Sequence, residues 1–433
     1  MDIRSIIILL IVLGCSAWAL KKSYIGVLLL SWIGYMNPHR LVPWGFIYTM
    51  PVAMVAAVFT VAGYMMEKDK KPFPFKLPII LLFIFIFWGV VCTVFAIFPE
   101  RAMEELTRFI KIQIGIILTL LIFQDKKKLI SLIWVVVCSI GFYGVKGGFF
   151  TLRTLGQFRV WGPPDSFIEG NNELALALLM VIPLMFFLYQ HHANKWIKRA
   201  LLLSILLSTI AVVGSYSRGA LLALIGSGCF LWTKTNKKFI SAFIVSILLI
   251  LAIPFIPSQW TDRMDTIQTY EEDSSAMGRI NAWTLAYNIA KDRITGGGFR
   301  QTSAQTFLLY APNPEAIHDA HSIYFEVLGE LGFIGFGLFF MIYYSTWRLA
   351  KRTIKIANQN PEDKWAADLM SMVQVSIIAY ASGGAFLGLA FWDLPYHLVT
   401  FVVLTSVILE QQAKSRTESE VTPNLKLKRN ARN

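Results

Sequence analysis

Apolar residues run along this chain in long blocks, separated by short polar segments rich in Lys, Arg, Gly and Pro. A helix needs about 20 apolar residues to cross the hydrocarbon core of a bilayer. Most of the blocks approach that length, and they follow one another from end to end of the chain. The pattern predicts membrane-spanning helices near 4–20, 23–36, 44–66, 77–98, 109–123, 129–150, 173–190, 200–215, 219–233, 239–257, 321–347, 366–390 and 397–411.

The first two blocks leave the number of crossings open. Lys21 and Lys22 divide them, so two separate crossings give 13 spans with the N-terminus outside, whereas a single crossing by the pair gives 12. We prefer 12, with both termini inside. The first block lacks a small-residue cleavage site, so we interpret it as a retained membrane helix rather than a signal peptide.

The composition of the chain is typical of a membrane protein. Of the 433 residues, 55% are hydrophobic and 15% are charged, and the mean hydropathy is +0.56. Soluble domains carry about 25% charged residues. We therefore predict an all-α polytopic membrane protein. The cysteines all fall inside apolar blocks, with neither metal-binding spacing nor a disulfide framework; they are Cys15, Cys92, Cys138 and Cys229.

The net charge of +13 would also suit a nucleic-acid-binding protein, but the placement of the charges argues against it. Basic residues concentrate in short loops and in the C-terminal tail, as expected of segments held in the cytoplasm. We therefore expect membrane lipids, and no nucleic acid, as partners. The cytoplasmic segments are 67–76, 124–128, 191–199, 234–238, 348–365 and 412–433, which leaves 37–43, 99–108, 151–172, 216–218, 258–320 and 391–396 on the outer side.

This topology divides the chain into four parts. They are N-terminal transmembrane helices (1–257), a large periplasmic loop with amphipathic helices (258–320), C-terminal transmembrane helices (321–411) and a basic cytoplasmic tail (412–433). Within the loop, the spacing of Ile280, Trp283 and Tyr287 predicts a helix over 276–294, which "TGGG" ends.

A basic side chain interrupts one apolar stretch. Arg218 stands in "SYSRGA", between the blocks 200–215 and 219–233. A guanidinium in hydrocarbon costs at least about 2.5 kcal/mol, so it needs water or an anion. One interpretation is a snorkelling side chain at a helix end. We favour an anion-binding arginine that faces a polar cavity, because small neighbours leave room for phosphate and the guanidinium fork matches its oxygens.

A histidine stands where the large outer loop meets the next apolar block. His321 is well placed to act as a general base, since histidine changes its protonation near neutral pH. A hydrogen-bonded residue at a helix start is the plainer alternative. His318, Asp319 and His321 would suit a metal ion, but no further ligand cluster accompanies them, so we predict no metal.

Two more arginines of the outer loop are candidate anion ligands. Arg279 lies at the edge of the apolar face of the predicted loop helix, where a solvated surface residue is the simpler interpretation when it is taken alone. Arg300 follows "TGGGF" and is open to either interpretation. With Arg218 and His321 they predict phosphoanhydride chemistry at the outer face, with arginines neutralising a diphosphate and histidine accepting a proton.

Four short motifs resemble the superfamily of O-antigen ligases and O-antigen polymerases. They are "SYSRGA" (215–220), "GRINAW" (278–283), "GGGF" (296–299) and "HSIYFEVLGELGFIG" (321–335), and they occur in the family's order. The segment 144–178 is similar to the subgroup described as O-glycosylation ligases associated with exosortase. The resemblance covers roughly 140–340; beyond it, only hydropathy agrees.

The resemblance implies a GT-C-type glycosyltransferase fold with about 12 transmembrane helices in the bacterial inner membrane. Such enzymes transfer a glycan from undecaprenyl diphosphate at the periplasmic face without a cofactor. Arg218 and Arg279 would hold the diphosphate, and His321 would activate the acceptor hydroxyl. The acceptor is the lipid A-core oligosaccharide for a ligase, the next carrier-linked repeat for a polymerase, and Ser or Thr for a protein O-oligosaccharyltransferase.

We predict an O-antigen ligase, with the other two activities as alternatives. A flippase for lipid-linked glycans is less favoured, because the candidate cations collect on one side and no inverted repeat is visible. Asp393 would contact acceptor sugar or simply end a helix. Residues expected to line the glycan or diphosphate path are Lys146, Arg153, Arg159, Asn171 and Asn172.

Overall fold

The computed structural model describes residues 2–42, 45–234 and 274–430, and in these ranges the chain forms helices and loops without a strand. Two short 3-10 helices, Phe46–Thr49 and Pro361–Asp363, accompany the α-helices. The α-helices are α1 (Ile3–Ala19), α2 (Ser23–Met36), α3 (Val52–Met66), α4 (Leu77–Val94), α5 (Pro99–Ile122), α6 (Lys126–Arg153), α7 (Asn171–His191), α8 (Lys195–Val213), α9 (Arg218–Lys234), α10 (Ser274–Asp292), α11 (Ala304–Tyr310), α12 (Ile323–Ala357), α13 (Lys364–Gly383) and α14 (Asp393–Asn430).

Six of the described helices are long and apolar enough to cross a membrane: α4, α6, α7, α8, α12 and the first part of α14. The helices α1, α2, α3 and α9 are apolar but shorter. This confirms the predicted class of an all-helical integral membrane protein. The predicted span 239–257, and with it the boundary between the first two predicted parts of the chain, lies outside the described residues.

Most predicted spans coincide with a helix, and the exceptions have local causes. The span predicted over 44–66 is divided at Pro51, which has no backbone N–H to donate, so that α3 begins at Val52. In the other direction, α5 begins at Pro99 and not near residue 109. Proline is favoured in the first turn of a helix. The predicted outer loop 99–108 is therefore the first part of α5.

The loops sort to two ends of the helix bundle. At one end, Lys71 Nζ donates to the carbonyl oxygen of Gln124 at 2.5 Å, and Arg416 pairs with Asp363 at 2.7 Å. All four residues belong to segments predicted to be cytoplasmic. The helix α4 leads from this end to the other, a rise of about 27 Å for its length.

The loops predicted to be on the outer side lie at the second end of the bundle. Arg40 pairs with Asp165 at 3.6 Å, which joins the segments 37–43 and 151–172. Arg300 approaches Glu104 at 3.8 Å and joins the large loop to the start of α5. The alternation predicted from the sequence thus agrees with the sorting of the loops, while the side of the membrane that each end faces stays a prediction.

The N-terminal helices α1 and α2 form an antiparallel pair that packs along α3. A Cβ built on Gly45 would lie 2.0 Å from Ser5 Oγ, so the start of α1 lies at the outer-loop end. Ser23 Oγ donates to Glu67 Oε1 at 2.8 Å, which puts the α1–α2 turn at the other end. Both α1 and α2 therefore run the length of α3. Lys22 lies in the tight turn between them, where its backbone N–H donates to the carbonyl oxygen of Trp18 at 3.0 Å; whether the pair crosses the membrane once or twice stays a prediction.

Close helix packing positions the outer end of α8. A Cβ on Gly144 would lie 2.2 Å from Ser208 Oγ, and one on Gly148 would lie 2.1 Å from the carbonyl oxygen of Leu207. Glycines four residues apart on one helix face let two backbones approach in a membrane, where van der Waals packing drives association. The contact fixes α8 against α6 just before the turn that carries Arg218.

The described part of the large loop contains the helix predicted over 276–294, observed as α10. It ends before Gly296, whose φ of 65° suits glycine. The helix buries a different face from the one used to predict it: Leu285 and Ile289 pack against Phe307 of α11. Tyr287, part of the predictive pattern, is 48% exposed.

Candidate functional site

A cavity of about 830 Å³ opens at the end of the bundle where the predicted outer loops meet. Its wall combines α5, the start of α7, the loop after α10, the start of α12 and the segment before α14. The titratable side chains that line it are Arg101, Glu104, Glu105, Glu173, Arg300, Asp319, His321, Glu326 and Glu330. The cavity is thus rich in carboxylates, with two arginines and one histidine among them.

His321 stands opposite a carboxylate from another part of the chain. Its Nδ1 atom lies 4.0 Å from Glu173 Oε1. The backbone of His321 is left-handed, with φ 40°, a conformation in which histidine is enriched among non-glycine residues. Glu173 occupies the first turn of α7, where the helix dipole favours a negative charge. The pair sets a partly exposed imidazole beside an anchored carboxylate.

Arg279 belongs to the same electrostatic cluster. Its charge interacts with Glu173, as does that of His321. The helix that carries Arg279 is docked onto the segment of His321, because Trp283 Nε1 donates to the carbonyl oxygen of Ala320 at 2.7 Å. The indole also stacks on Phe325 at 4.9 Å between ring centroids. Trp283 is one helical turn after Arg279, so these contacts hold this part of α10 against the residues that flank His321.

Arg218 begins α9, directly after a turn that rests on the start of α7. Asn171 Nδ2 donates to the carbonyl oxygen of Ser215 in this turn at 2.7 Å. On the other side, a Cβ on Gly219 would lie 2.8 Å from the Cβ of Phe386, and that phenyl ring lies 6.3 Å from the Trp283 indole. The segments of Arg218, Arg279 and His321 are therefore linked through shared neighbours.

The turn before Arg218 is fixed by a buried phenol. Tyr216 has φ 58°, and its hydroxyl donates to the carbonyl oxygen of Gly156. Burial raises the pKa of Tyr216 and outweighs the opposing charge of Arg159. The phenol therefore stays protonated at neutral pH, as this hydrogen bond requires.

Arg300 lies on the cavity wall with His321. Its backbone N–H donates to Glu330 Oε1 at 2.9 Å, and its φ is 53°. The glycines that precede it dock on α12, where Gly297 N donates to the carbonyl oxygen of Gly329 at 2.8 Å and Gly298 N to that of Glu330 at 2.9 Å. The "GGGF" motif thereby aims Arg300 at the mouth of the cavity, 55% exposed.

Three predicted path residues lie elsewhere among the described residues. Lys146 is exposed on α6 and is not on the cavity wall. It stands two residues from both Gly144 and Gly148, which face α8, so it projects from the opposite side of the helix. Arg153 and Arg159 are exposed as well and do not line the cavity.

Asn172 and Asp393 are closer to the site. Asn172 is half-buried in the first turn of α7, beside Glu173. Asp393 is the first residue of α14 and follows Trp392, which lines the wall. Arg218 and Arg279 are not among the residues that line the described cavity. The structure brings the chain segments that carry them close to His321, but it does not place their side chains on the wall.

Glu173 and the charged start of α5 line the cavity but were not predicted from the sequence. Glu173 is the last residue of "EGNNE" (169–173), at the start of an apolar block. An ionisable residue at the end of an apolar block is costly to bury and is usually functional, and this signal would have identified it. Arg101, Glu104 and Glu105 lie within "PERAMEEL", whose helical spacing places two of them a turn apart.

Residues 203–340 match a family model described as O-antigen ligase. This match, which covers about a third of the chain, supports the resemblance to the O-antigen ligase and polymerase superfamily. The matched region contains Arg218, Arg279, Arg300 and His321. Residues 3–193 match a second model, described as a family of unknown function, and no individual curated protein matches the chain. The cavity combines both matched regions, since Arg101 and Glu173 come from the second match and Arg300 and His321 from the first.

Proposed function

We propose that the chain is an O-antigen ligase, which transfers a glycan from undecaprenyl diphosphate to a lipid A-core oligosaccharide. The observation that carries the proposal is the grouping of His321, Glu173 and Arg300 at one cavity, to which Arg279 is coupled by charge. The family match of residues 203–340 supports the same class of reaction.

In the proposed reaction, the acceptor hydroxyl oxygen attacks the anomeric carbon of the carrier-linked sugar. The bond from that carbon to the phosphate oxygen breaks, and undecaprenyl diphosphate leaves with the electron pair. His321 accepts the hydroxyl proton. Glu173, 4.0 Å from the imidazole, opposes the positive charge that the ring gains. The scheme needs neither a cofactor nor a metal ion.

The arginines stabilise the leaving group in this scheme. Negative charge develops on the diphosphate as the bond breaks, and preorganised cations stabilise it most where water is excluded. Arg218 and Arg279 hold the two phosphates, and Arg300 stands at the mouth of the cavity to receive the donor. A guanidinium suits this role because it binds phosphate oxygens in pairs.

The proposal includes an orientation and a fold. We assign the cavity to the periplasmic face of the inner membrane, with the tail 412–433 in the cytoplasm and a GT-C-type arrangement of about 12 transmembrane helices. The sorting of the basic loops to one end of the bundle supports this orientation. The parts 1–257, 258–320, 321–411 and 412–433 keep their predicted roles.

An in vitro transfer assay tests the proposal. Purified protein is incubated with undecaprenyl-diphosphate-linked glycan and rough lipopolysaccharide, which carries a free core acceptor. A single glycan added to lipid A core supports a ligase. A ladder of longer carrier-linked repeats would instead identify a polymerase, and glycan crossing a vesicle membrane without transfer would identify a flippase.

A further inference from the structure

Two buried oxygen atoms on the cavity wall have no hydrogen-bond partner. They are Gln301 Oε1 and Glu330 Oε2, on side chains that are 5% and 9% exposed. Both residues line the cavity that contains His321. A buried acceptor without a donor costs about 1–3 kcal/mol. The pair therefore indicates a ligand that supplies hydrogen-bond donors.

The neighbouring backbone holds both side chains in place. Glu330 Oε1 accepts from Arg300 N at 2.9 Å, which leaves Oε2 as the unpaired oxygen. Gln301 is confined between glycines: a Cβ on Gly297 would lie 2.7 Å from its Cβ, and one on Gly329 would lie 3.1 Å from its Nε2. The two oxygens belong to a preorganised surface formed by Gln301, Glu330, Ser322 and Glu326, which we call the cavity floor.

The floor continues from the histidine along α12. Ser322, Glu326 and Glu330 stand four residues apart and so share one helix face. The stripe begins next to His321. Ser322 Oγ is also buried without a partner, whereas Glu326 Oε2 accepts from Ala390 N at 3.3 Å. A ligand on this stripe presents its nearest group to the imidazole.

The charges of the wall select the kind of ligand. Six carboxyl side chains line the cavity beside two arginines, Arg101 and Arg300, so hydrogen-bonding oxygens outnumber cations on its wall. Among the described residues, no group of three or more His, Cys, Asp or Glu side chains is arranged to hold a metal ion. Phe391 and Trp392 add apolar surface to the same wall. Acceptor oxygens beside aromatic rings suit the hydroxyl groups and C–H face of a sugar.

We infer that the floor formed by Gln301, Glu330 and the Ser322–Glu326 stripe binds the acceptor sugar through its hydroxyl groups, and thereby delivers one hydroxyl to His321. This inference rests on the proposed function. It assigns the carboxylate-rich floor to the acceptor and leaves the anionic donor to the arginines.

Two substitutions test the floor without removing its scaffold. Gln301→Leu removes the amide oxygen. Glu330→Gln keeps an oxygen for the Arg300 N–H and replaces Oε2, which has no hydrogen-bond partner, with an NH₂ group. We expect each to raise the acceptor KM about tenfold, the effect of one lost hydrogen bond of about 1.4 kcal/mol, with the donor KM unchanged.

Gln113→Leu is the matched control. Gln113 is 1% exposed and both of its amide atoms lack partners, but it lies on α5 outside the described cavity wall. We expect it to leave both KM values unchanged. Wild-type acceptor KM values for both floor variants, or a rise confined to the donor KM, would overturn the inference.

A binding measurement separates this inference from the proposed reaction. Saturation-transfer NMR records the binding of deacylated core oligosaccharide to the detergent-purified protein without donor. If the wild type binds the oligosaccharide and Gln301→Leu binds it at least about tenfold more weakly, the floor stands even if no transfer is observed. Equal binding by both, or no binding by the wild type, overturns it, whatever the transfer assay shows.

Discussion

The Nδ1 atom of His321 lies 4.0 Å from Glu173 Oε1, although the two residues belong to regions that match different families. His321 comes from the O-antigen ligase region 203–340, and Glu173 comes from the region 3–193. The cavity wall continues this mixture through Arg101 and Arg300. The surroundings of the His321 imidazole therefore come from both regions.

Glu173→Gln tests whether this carboxylate positions and stabilises the histidine. Removing the charge withdraws stabilisation of the imidazolium formed during transfer, so we expect kcat to fall about 10- to 100-fold, a loss between the values for a charge pair at this distance in water and near a protein surface. The KM values for donor and acceptor stay within about twofold of the wild type, because the amide is nearly isosteric. Steady-state kinetics of the purified protein measure the split.

Two further variants separate a positioning role from a structural one. Glu173→Asp retains the charge and is expected to recover part of the lost kcat. Glu169→Gln changes an exposed carboxylate four residues earlier and is expected to be silent. If Glu173→Asp is as slow as Glu173→Gln, or if both KM values rise instead, the carboxylate does not act through His321.

Arg279 is expected to act on the donor alone. Arg279→Ala removes a phosphate ligand, so the donor KM rises or kcat falls about 10- to 100-fold while the acceptor KM is unchanged. Arg279→Lys recovers little, because an ammonium lacks the paired donors of a guanidinium. Lys291→Ala, an exposed cation on the same helix, serves as the control. If Arg279→Ala and Lys291→Ala have equal effects on the kinetics, Arg279 acts only as a surface charge and does not bind the donor.

The loop that carries Arg300 depends on Gly296. Its φ is 65°, and a Cβ there would lie 2.6 Å from the backbone nitrogen of Gly332. A left-handed conformation costs an L-residue about 1–2 kcal/mol, and the clash adds to it. Gly296→Ala is therefore expected to lower the thermal unfolding midpoint in detergent and to reduce transfer.

Gly337→Ala provides the comparison for this glycine. A Cβ at Gly337 meets nothing within 4 Å, and the residue lies inside α12, where alanine is favoured over glycine by up to about 1 kcal/mol. This variant is expected to unfold at the wild-type temperature or above it. An unfolding midpoint of Gly296→Ala equal to that of the wild type would show that the loop does not need this conformation.

Local pattern predicted much of the helical framework. The apolar runs of α6 and α7 exceed the length that a membrane requires, and "TGGG" marked the end of α10 correctly because a left-handed glycine stops a helix. The pattern did not predict which face of a helix is buried, because tertiary packing determines that face. The buried face of α10 is the one that packs against α11 and α12. The spacing of apolar residues along the sequence does not reveal where those two helices lie.

The candidate site was predictable only in part. His321 and Arg300 were identified because each interrupts or borders an apolar or glycine-rich stretch, and both line the cavity. Glu173 is 148 positions from His321, and no local pattern links them. Lys146 lies outside the cavity wall, since a cation in an apolar block identifies an unusual position but not the helix face on which it lies.

The most direct test of the account compares His321→Ala with the wild type in the purified transfer reaction. General base catalysis is worth about 10²- to 10⁴-fold. The account predicts that His321→Ala retains binding of undecaprenyl-diphosphate-linked glycan but transfers it to lipid A core at least about 100-fold more slowly. Transfer by His321→Ala at the wild-type rate would contradict it.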